Sequence, residues 1–470
     1  YKLPITNLES FGDYKLPLYA FLTVPSVAIF GLNEFASRLP NAIFGSVGVL
    51  VMFLFSFQAF KNFKFQISLI AAFLYAFSPW SIQLSRGAFE ANLVTLLLPL
   101  FLALFLSKKY LLASLILALN YYSYHSARFL SLFLIPLFLY KSKSIIHNSL
   151  FIILMLPGFL ALFGSGGARS ADVSILSPTD NWQAVSDARF SAVQSGLPDP
   201  IARIFYNKAT YVISQFTKNY ATYFSPQFLF TEGPRETTYG MHPGTGVLYQ
   251  IEALFLLAAV FYFIKYPNKS GIWYLVSGIL LAAVPAALSK GPGYAANRAA
   301  SMLPFLILLS SLGMSFISKY VNKKLLYFLI TLSLINFIQL YVYHARDLAP
   351  GMLYGRKEAL IRVANLAKDY DQIFVSRSLS EPHIYVAFYN QVDPVYYQKY
   401  SDTWRNYRKN YKFLDQYEGY TLGKHTFGSL KFKQTNSLYV GLPQDFPDSQ
   451  QPMFKIDYPD GHPAVFVSRL

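Results

Sequence analysis

Long apolar runs alternate with polar connections along this chain, and the runs set its architecture. Ten stretches are almost free of charge: 41–60, 65–78, 92–107, 110–124, 129–140, 147–163, 247–264, 270–288, 301–318 and 325–343. A helix needs about 20 apolar residues to cross roughly 30 Å of hydrocarbon. Several of the runs are shorter, so they must recruit flanking Tyr, Ser or Trp from the interface. Another run, 16–31, is short and carries Pro17 and Pro25 inside it. It follows Glu9, Asp13 and Lys15 and ends on Asn33, Glu34 and Arg38.

The connections come in two kinds. One kind is short and basic: Lys61 and Lys64; Lys108 and Lys109; Lys141 and Lys143; Lys265 and Lys269; Lys319, Lys323 and Lys324. These hold no Asp or Glu and are expected on the cytoplasmic side by the positive-inside rule. The other kind is longer, mixed in charge, and rich in Trp, Tyr, Pro and Gly; it is expected outside. Parity then places Arg38 outside. Read as an interfacial or re-entrant helix, 16–31 has both ends outside. Read as an ordinary short span, it would put Glu9 to Lys15 in the cytoplasm.

Two polar regions stand apart. Residues 164–246 form a long external loop with Pro178, Trp182, Pro198, Pro200 and the segment EGPRETTYGMHPGTG, and a helical pattern covers 201–220. Loops of this length are usually functional or lids. From His344 the runs shorten. Helices are expected at 356–368 and 382–390, and strands at 372–376, 429–433, 437–442 and 464–468. The expectation is an α-helical polytopic membrane protein with about ten transmembrane helices and one interfacial or re-entrant helix (1–343), followed by an external α/β domain (344–470).

Composition agrees. Of 470 residues 54% are hydrophobic and only 14% charged, against about 25% charged in soluble domains; mean hydropathy is +0.32. The net charge of +16 would suggest nucleic acid in a soluble protein. Here the lysine pairs account for most of it, so it reads as topology, and no nucleic-acid partner is expected. Cysteine is absent, which excludes disulfides, thiolate metal sites and a Cys nucleophile. The seven His show no HxxxH or HExxH spacing, so neither a metal site nor a cofactor is expected. The chain starts at Tyr1 rather than Met and reads as truncated at its N-terminus.

Candidate chemistry gathers at outward helix ends. In SPWSIQLSRGAFEAN (78–92), Arg86 and Glu90 are four apart and would share a helix face. They are either an ion pair beside an interfacial Trp80, or a site where Arg86 grips a lipid phosphate. In NYYSYHSAR (120–128), an aromatic belt accounts for Tyr121, Tyr122 and Tyr124, but less well for His125 and Arg128. An Arg beside Tyr hydroxyls suits phosphate or sugar. In SKGPGYAANRAASMLP (289–304), Gly291 and Gly293 permit a tight turn, and Asn297 could cap the next helix. Arg298 would then oppose the helix dipole unless an anion sat there, or would simply snorkel. Glu9 and Asp13 are possible general bases, or solvated loop carboxylates.

Together GDYKLPLYAFL, FGLNEFASRLPN, SPW with SR, YYSYHSAR and NRAASMLP resemble the polytopic GT-C glycosyltransferases. Within them, the chain is similar to the bacterial branch related to protein O-mannosyltransferases and lipid A aminoarabinose transferases. The likeness spans about residues 9–343. It implies transfer of a sugar from a polyprenyl- or dolichyl-phosphate carrier to a protein, lipid or glycan acceptor on the outer face of the plasma (inner) membrane, with no metal needed. It places the base in the first outward loop, often as an Asp-Glu pair, upstream of Tyr1; Glu9 and Asp13 are the acidic candidates within the chain. It makes Lys15, Arg86, Arg128 and Arg298 contacts for carrier phosphate or sugar, with Glu90, Tyr124, His125 and Asn297 beside them. The terminal domain would shape acceptor choice. The competing readings are a lipid-linked sugar flippase and a non-catalytic scaffold. A flippase predicts internal repeats and mid-membrane ionisable residues, neither of which is evident in the sequence.

Overall fold

The structure, a computed structural model, describes residues 6–11, 13–60, 64–142, 145–161, 163, 174–235, 241–242, 244–266, 272–291, 295–411, 413–432 and 434–469. Expectations resting on Lys61, Lys143, Lys269, Gly293, the stretches 164–173 and 236–240, and the side chains of Asp13 and Lys64 lie outside the described residues. The chain divides into two compact units. The first comprises residues 1–8, 14–23 and 38–338; the second comprises 9–13, 24–37 and 339–470.

Two short strands, β1 (Leu8–Ser10) and β2 (Asp13–Lys15), precede α1 (Leu18–Phe30). At about 1.5 Å per residue α1 is roughly 20 Å long, short of a membrane crossing. Gly31, at φ 76°, closes it. Asn33 then opens α2 (Glu34–Ala59), its Oδ1 accepting from the Ala36 N–H at 2.8 Å. The helix therefore begins about two turns before the expected 41–60. It runs through Pro40, which cannot donate to the Ala36 carbonyl. Ser26 Oγ donates to that carbonyl instead, at 2.6 Å.

In the first unit, α3 (Lys64–Phe77) and α4 (Pro79–Arg86) meet at a 55° bend. Pro79 stops the backbone ladder, and Ser78 caps the new helix through a 3.4 Å bond from the Ser81 N–H. Next come α5 (Ala91–Leu106), α6 (Tyr110–Tyr121), α7 (His125–Ser142) and α8 (Ile145–Ala161). The polar interval is largely helical, with α9 (Pro178–Gln194), α10 (Asp199–Phe205) and α11 (Lys208–Thr222). The single helix expected over 201–220 is broken because Asn207 forms a capping box with Thr210. A π-helical turn (Gln227–Thr231) leads to α12 (Glu252–Lys265), α13 (Ile272–Ala287), α14 (Leu303–Ile317) and α15 (Lys323–Tyr343).

Helix α14 is the centre of this unit. The apolar window containing it is 83% buried, against 17% for α15, whose equally apolar surface is left outward as a lipid-facing helix would leave it. Gly313 lets α14 lie against α12, since a Cβ there would come within 1.7 Å of the Phe255 carbonyl oxygen. Among the described residues three helices are long and apolar enough to cross a membrane by themselves, or four if the bent α3–α4 pair counts as one. Five further apolar helices are shorter. The expected ten spans are thus not reached by length alone.

The second unit is built on a six-stranded mixed sheet, β3 (Gln372–Ser376), β4 (Tyr420–Leu422), β5 (His425–Gly428), β6 (Ser437–Gly441), β7 (Phe454–Asp457) and β8 (Pro463–Arg469), in the order β4-β5-β3-β6-β8-β7. Central β3 runs parallel to both neighbours, and the remaining pairs are antiparallel. One face carries Ile373, Val375, Leu438, Val440, Val465 and Val467. They pack with residues of α16 (Arg356–Leu366), α17 (Pro382–Tyr389) and α18 (Pro394–Trp404), among them Leu360, Val363, Val386 and Trp404. The N-terminal segment joins this core: Phe11 packs on His383 and Trp404 at ring separations of 5.1 and 5.4 Å. The expected strand at 429–433 is absent; residues 429–432 are irregular, and Lys433 lies outside the described residues.

Candidate functional site

Helices α6 and α7 meet in the turn Tyr122–Tyr124, and the polar residues of NYYSYHSAR surround it. Asn120 Nδ2 donates to Ser131 Oγ at 2.9 Å, tying α6 to α7. Tyr122 OH donates to the Leu154 carbonyl at 2.9 Å and accepts from the Gly158 N–H at 3.0 Å, tying the turn to α8. His125, first residue of α7, bonds through Nε2 to the Tyr14 carbonyl at 3.0 Å, which fixes β2 against the turn. Tyr124 is half-buried, and its carbonyl accepts from the Arg128 N–H at 2.9 Å.

Arg128 is the exceptional residue. It is only 3% exposed, and its guanidinium lies over the Tyr121 ring, 4.9 Å from the centroid. None of its three guanidinium nitrogens has a hydrogen-bond partner among the described residues. The Tyr121 hydroxyl is likewise buried and unpartnered. A buried guanidinium is usually paired, because removing it from water costs several kcal/mol. A fork of N–H donors held without an acceptor is what an oxyanion ligand requires.

Lys15 links this cluster to the first motif, since its charge acts on both His125 and Glu90. Burial pushes the Glu90 carboxyl up to about 7, against the opposing pull of Lys15. Glu90 does not share a helix face with Arg86. The backbone turns extended at Gly87 (φ −97°, ψ 170°), so Arg86 ends α4 while Glu90 precedes α5. Arg86 is exposed and faces the charge of Arg38 rather than Arg128.

A buried network holds the loop between α4 and α5. Asn41 Nδ2 donates to the Gly87 carbonyl at 2.7 Å and the Phe89 carbonyl at 2.9 Å. Asn92 Nδ2 donates to the Asn41 carbonyl at 3.1 Å, and Thr95 Oγ1 to the Asn92 carbonyl at 2.8 Å. Tyr75 OH lies 3.0 Å from Thr95 Oγ1. Sequence reasoning passed over Asn41 and Asn92 as helix boundaries. The available signal was an amide side chain beside an apolar run, where an unpaired one would be costly.

The third motif lies in other surroundings. Asn297 is buried but caps no helix; it sits in a turn before a 3₁₀ segment (Ala300–Met302) whose N-cap is Ala299. Arg298 is in the same turn, not the first turn of a helix, and donates to the Lys290 carbonyl at 2.7 Å. The dipole argument for an anion there therefore fails. Only the turn at Gly291, φ 115°, is as expected. Arg86, Arg128 and Arg298 thus occupy three distinct local settings; Lys15 acts on both Glu90 and His125, and Arg128 acts on His125. Glu9, in the second unit, forms an ion pair with Arg408.

No protein-family model matches the chain, and no curated protein does. In structure the chain is similar to several solved proteins, at low identity and low TM-score. One is the archaeal oligosaccharyltransferase AglB from Archaeoglobus fulgidus, in complex with an inhibitory peptide and a dolichol-phosphate: 15% identity, TM-score 0.44, 82% of this chain and 57% of AglB covered. The chain thus spans little more than half of AglB. Another is apo ArnT from Cupriavidus metallidurans: 12% identity, TM-score 0.38, 98% of this chain and 88% of ArnT covered.

Proposed function

We propose that this protein is a membrane glycosyltransferase that moves a sugar from a polyprenyl-phosphate-linked donor to an acceptor on the outer face of the plasma membrane. The observation that carries the reading is Arg128, buried with its guanidinium nitrogens unpartnered among the described residues. Such a fork matches the oxygens of a phosphate in bidentate fashion. Its place at the junction of two apolar helices suits a substrate whose tail stays in the bilayer while its headgroup sits at the rim.

The chemistry follows from the charges. The acceptor hydroxyl or amine gives its proton to a carboxylate as its lone pair bonds to the anomeric carbon. The carbon–oxygen bond to phosphate breaks, and the leaving phosphate takes the electron pair. Arg128 and Lys15 stabilise the negative charge that develops there. Glu90 is a carboxylate on which Lys15 acts, and a carboxyl titrating near 7 is suited to accept a proton. The motif resemblance expects the base in the first outward loop. The domain at 344–470 would shape acceptor choice.

The test is sugar transfer by the full-length protein in proteoliposomes from a panel of polyprenyl-phosphate sugars. Arg128→Ala is expected to abolish transfer while Arg298→Ala retains it. Equal rates for wild type and Arg128→Ala would overturn the assignment.

A further inference from the structure

The second face of the six-stranded sheet differs from the helix-covered one. Strand register places Thr421, Thr426, Phe374, Tyr439 and Ser468 in one row across β4, β5, β3, β6 and β8. The far end of this row is roofed by aromatic side chains. Phe432 packs on Tyr439 at 4.7 Å and on Phe446 at 5.4 Å, and Phe446 packs on Phe466 at 5.8 Å. Phe374 stacks beside Tyr439 at 5.0 Å with rings 14° from parallel. Beside Phe374 lies a cavity of about 270 Å³, lined also by Glu418, Gly419, Thr426 and residues 428–431.

The carboxylate of this cavity is held in place. Glu418 Oε2 accepts from the Ser429 N–H at 2.7 Å, and Oε1 accepts from Ser429 Oγ at 2.7 Å and Arg377 at 2.9 Å. Burial alone would raise this carboxyl; the Ser429 bonds and the charges of Arg377 and Lys431 outweigh it and hold the group below its ordinary range. Gly428, at φ 152°, lets the strand end approach, since a Cβ there would lie 2.4 Å from Glu418 Oε2. Arg377 offsets the carboxylate, so Lys431 leaves the site with a slight positive excess.

We infer that this cavity binds a single pyranose residue, neutral or anionic, with its C–H face against Phe374 and its hydroxyls toward Glu418, Thr426 and Lys431. An aromatic side chain beside a fixed carboxylate, a hydroxyl and an ammonium matches a ring that is apolar on its faces and polar at its rim. The volume lies just under the range of small-molecule pockets, about 300–1,000 Å³, as suits one sugar ring. The positive excess disfavours cationic peptides. The site needs nothing from Arg128 and stands whether or not transfer is found.

Saturation-transfer NMR on the full chain in detergent tests it, using methyl glycosides of glucose, mannose, N-acetylglucosamine and glucuronic acid as probes. Transfer to ring C–H protons of at least one probe is expected. Lys431→Gln and Thr426→Val, both at partly solvated positions, should weaken binding about tenfold, roughly 1.4 kcal/mol. Phe374→Ala should abolish the signal, with unfolding midpoints recorded for all three variants. No transfer to any probe, or binding unaltered by Lys431→Gln and Thr426→Val, would overturn the inference. So would binding of a peptide library but of no sugar.

Discussion

Replacing Arg128 by methionine keeps an unbranched side chain and removes the charge, separating a ligand-binding arginine from a structural one. In the ligand-free protein the guanidinium is 3% exposed, with no hydrogen-bond partner among the described residues. Burying an ion unpaired costs several kcal/mol. The Tyr121 ring at 4.9 Å offsets about 1–2 kcal/mol of that. Arg128→Met should therefore raise ligand-free stability by about 1–3 kcal/mol, read as a higher unfolding midpoint in detergent. Adding a polyprenyl phosphate should reverse the order. At one hundred times its dissociation constant it stabilises wild type by about 2.7 kcal/mol, and the variant hardly at all. Sugar transfer should fall about 10²–10³-fold, the effect of losing one preorganised donor to a developing anion. Arg128→Lys should fall between, keeping the charge but not the fork. The reasoning is refuted if Arg128→Met melts lower than wild type and still gains stability from the lipid phosphate. Arg128 would then serve only to pack on Tyr121.

Three other outcomes follow from the geometry. Glu90 titrates at about 7 when folded against 4.5 in an ordinary setting. The native state therefore holds a proton that the unfolded chain has released, and stability should fall as pH rises through that window and level off above it. Glu90→Gln should flatten this slope; parallel pH profiles for the two proteins would contradict the shift. Asn41→Ala leaves the Gly87 and Phe89 carbonyls and the Asn92 amide short of partners, at about 1–3 kcal/mol for a buried polar group. An unfolding midpoint within a degree of wild type would show that the network is dispensable. Gly313→Ala drives a methyl to 1.7 Å from the Phe255 carbonyl oxygen, so α12 and α14 cannot pack as they do. The expected result is loss of folded protein in detergent chromatography, and a well-behaved variant would dispute that contact.

The apolar helices were largely legible in the sequence, because an apolar run announces its own helix; α9 and α18, in polar stretches, were not. The runs at 92–107 and 325–343 correspond to α5 and α15 within two residues. Strand 372–376 agrees to the residue with the expectation, its β-branched and aromatic run being visible in one segment. Breaks inside apparent helices were not legible. Asn207 splits one helix and Gly87 another, because a cap competes with propagation and wins only where the chain can turn. Strands β4, β5 and β7 went unread because each is three or four residues long and gains its stability from its neighbours.

The candidate site divides the same way. Arg128 and His125 stood out in the sequence as charge and imidazole that an aromatic belt does not require. That Arg128 is buried without a hydrogen-bond partner, that Lys15 reaches both Glu90 and His125, and that Arg298 is turned to a backbone carbonyl all depend on which helices adjoin. The order of residues determined where this chain is oily, where it is cationic, and which residue types gather at helix ends, since those are properties of single segments. Only packing decided which of those ends became a site: burial and hydrogen-bond satisfaction belong to pairs of segments far apart in the chain, and a side chain's partner is set by whatever folds against it.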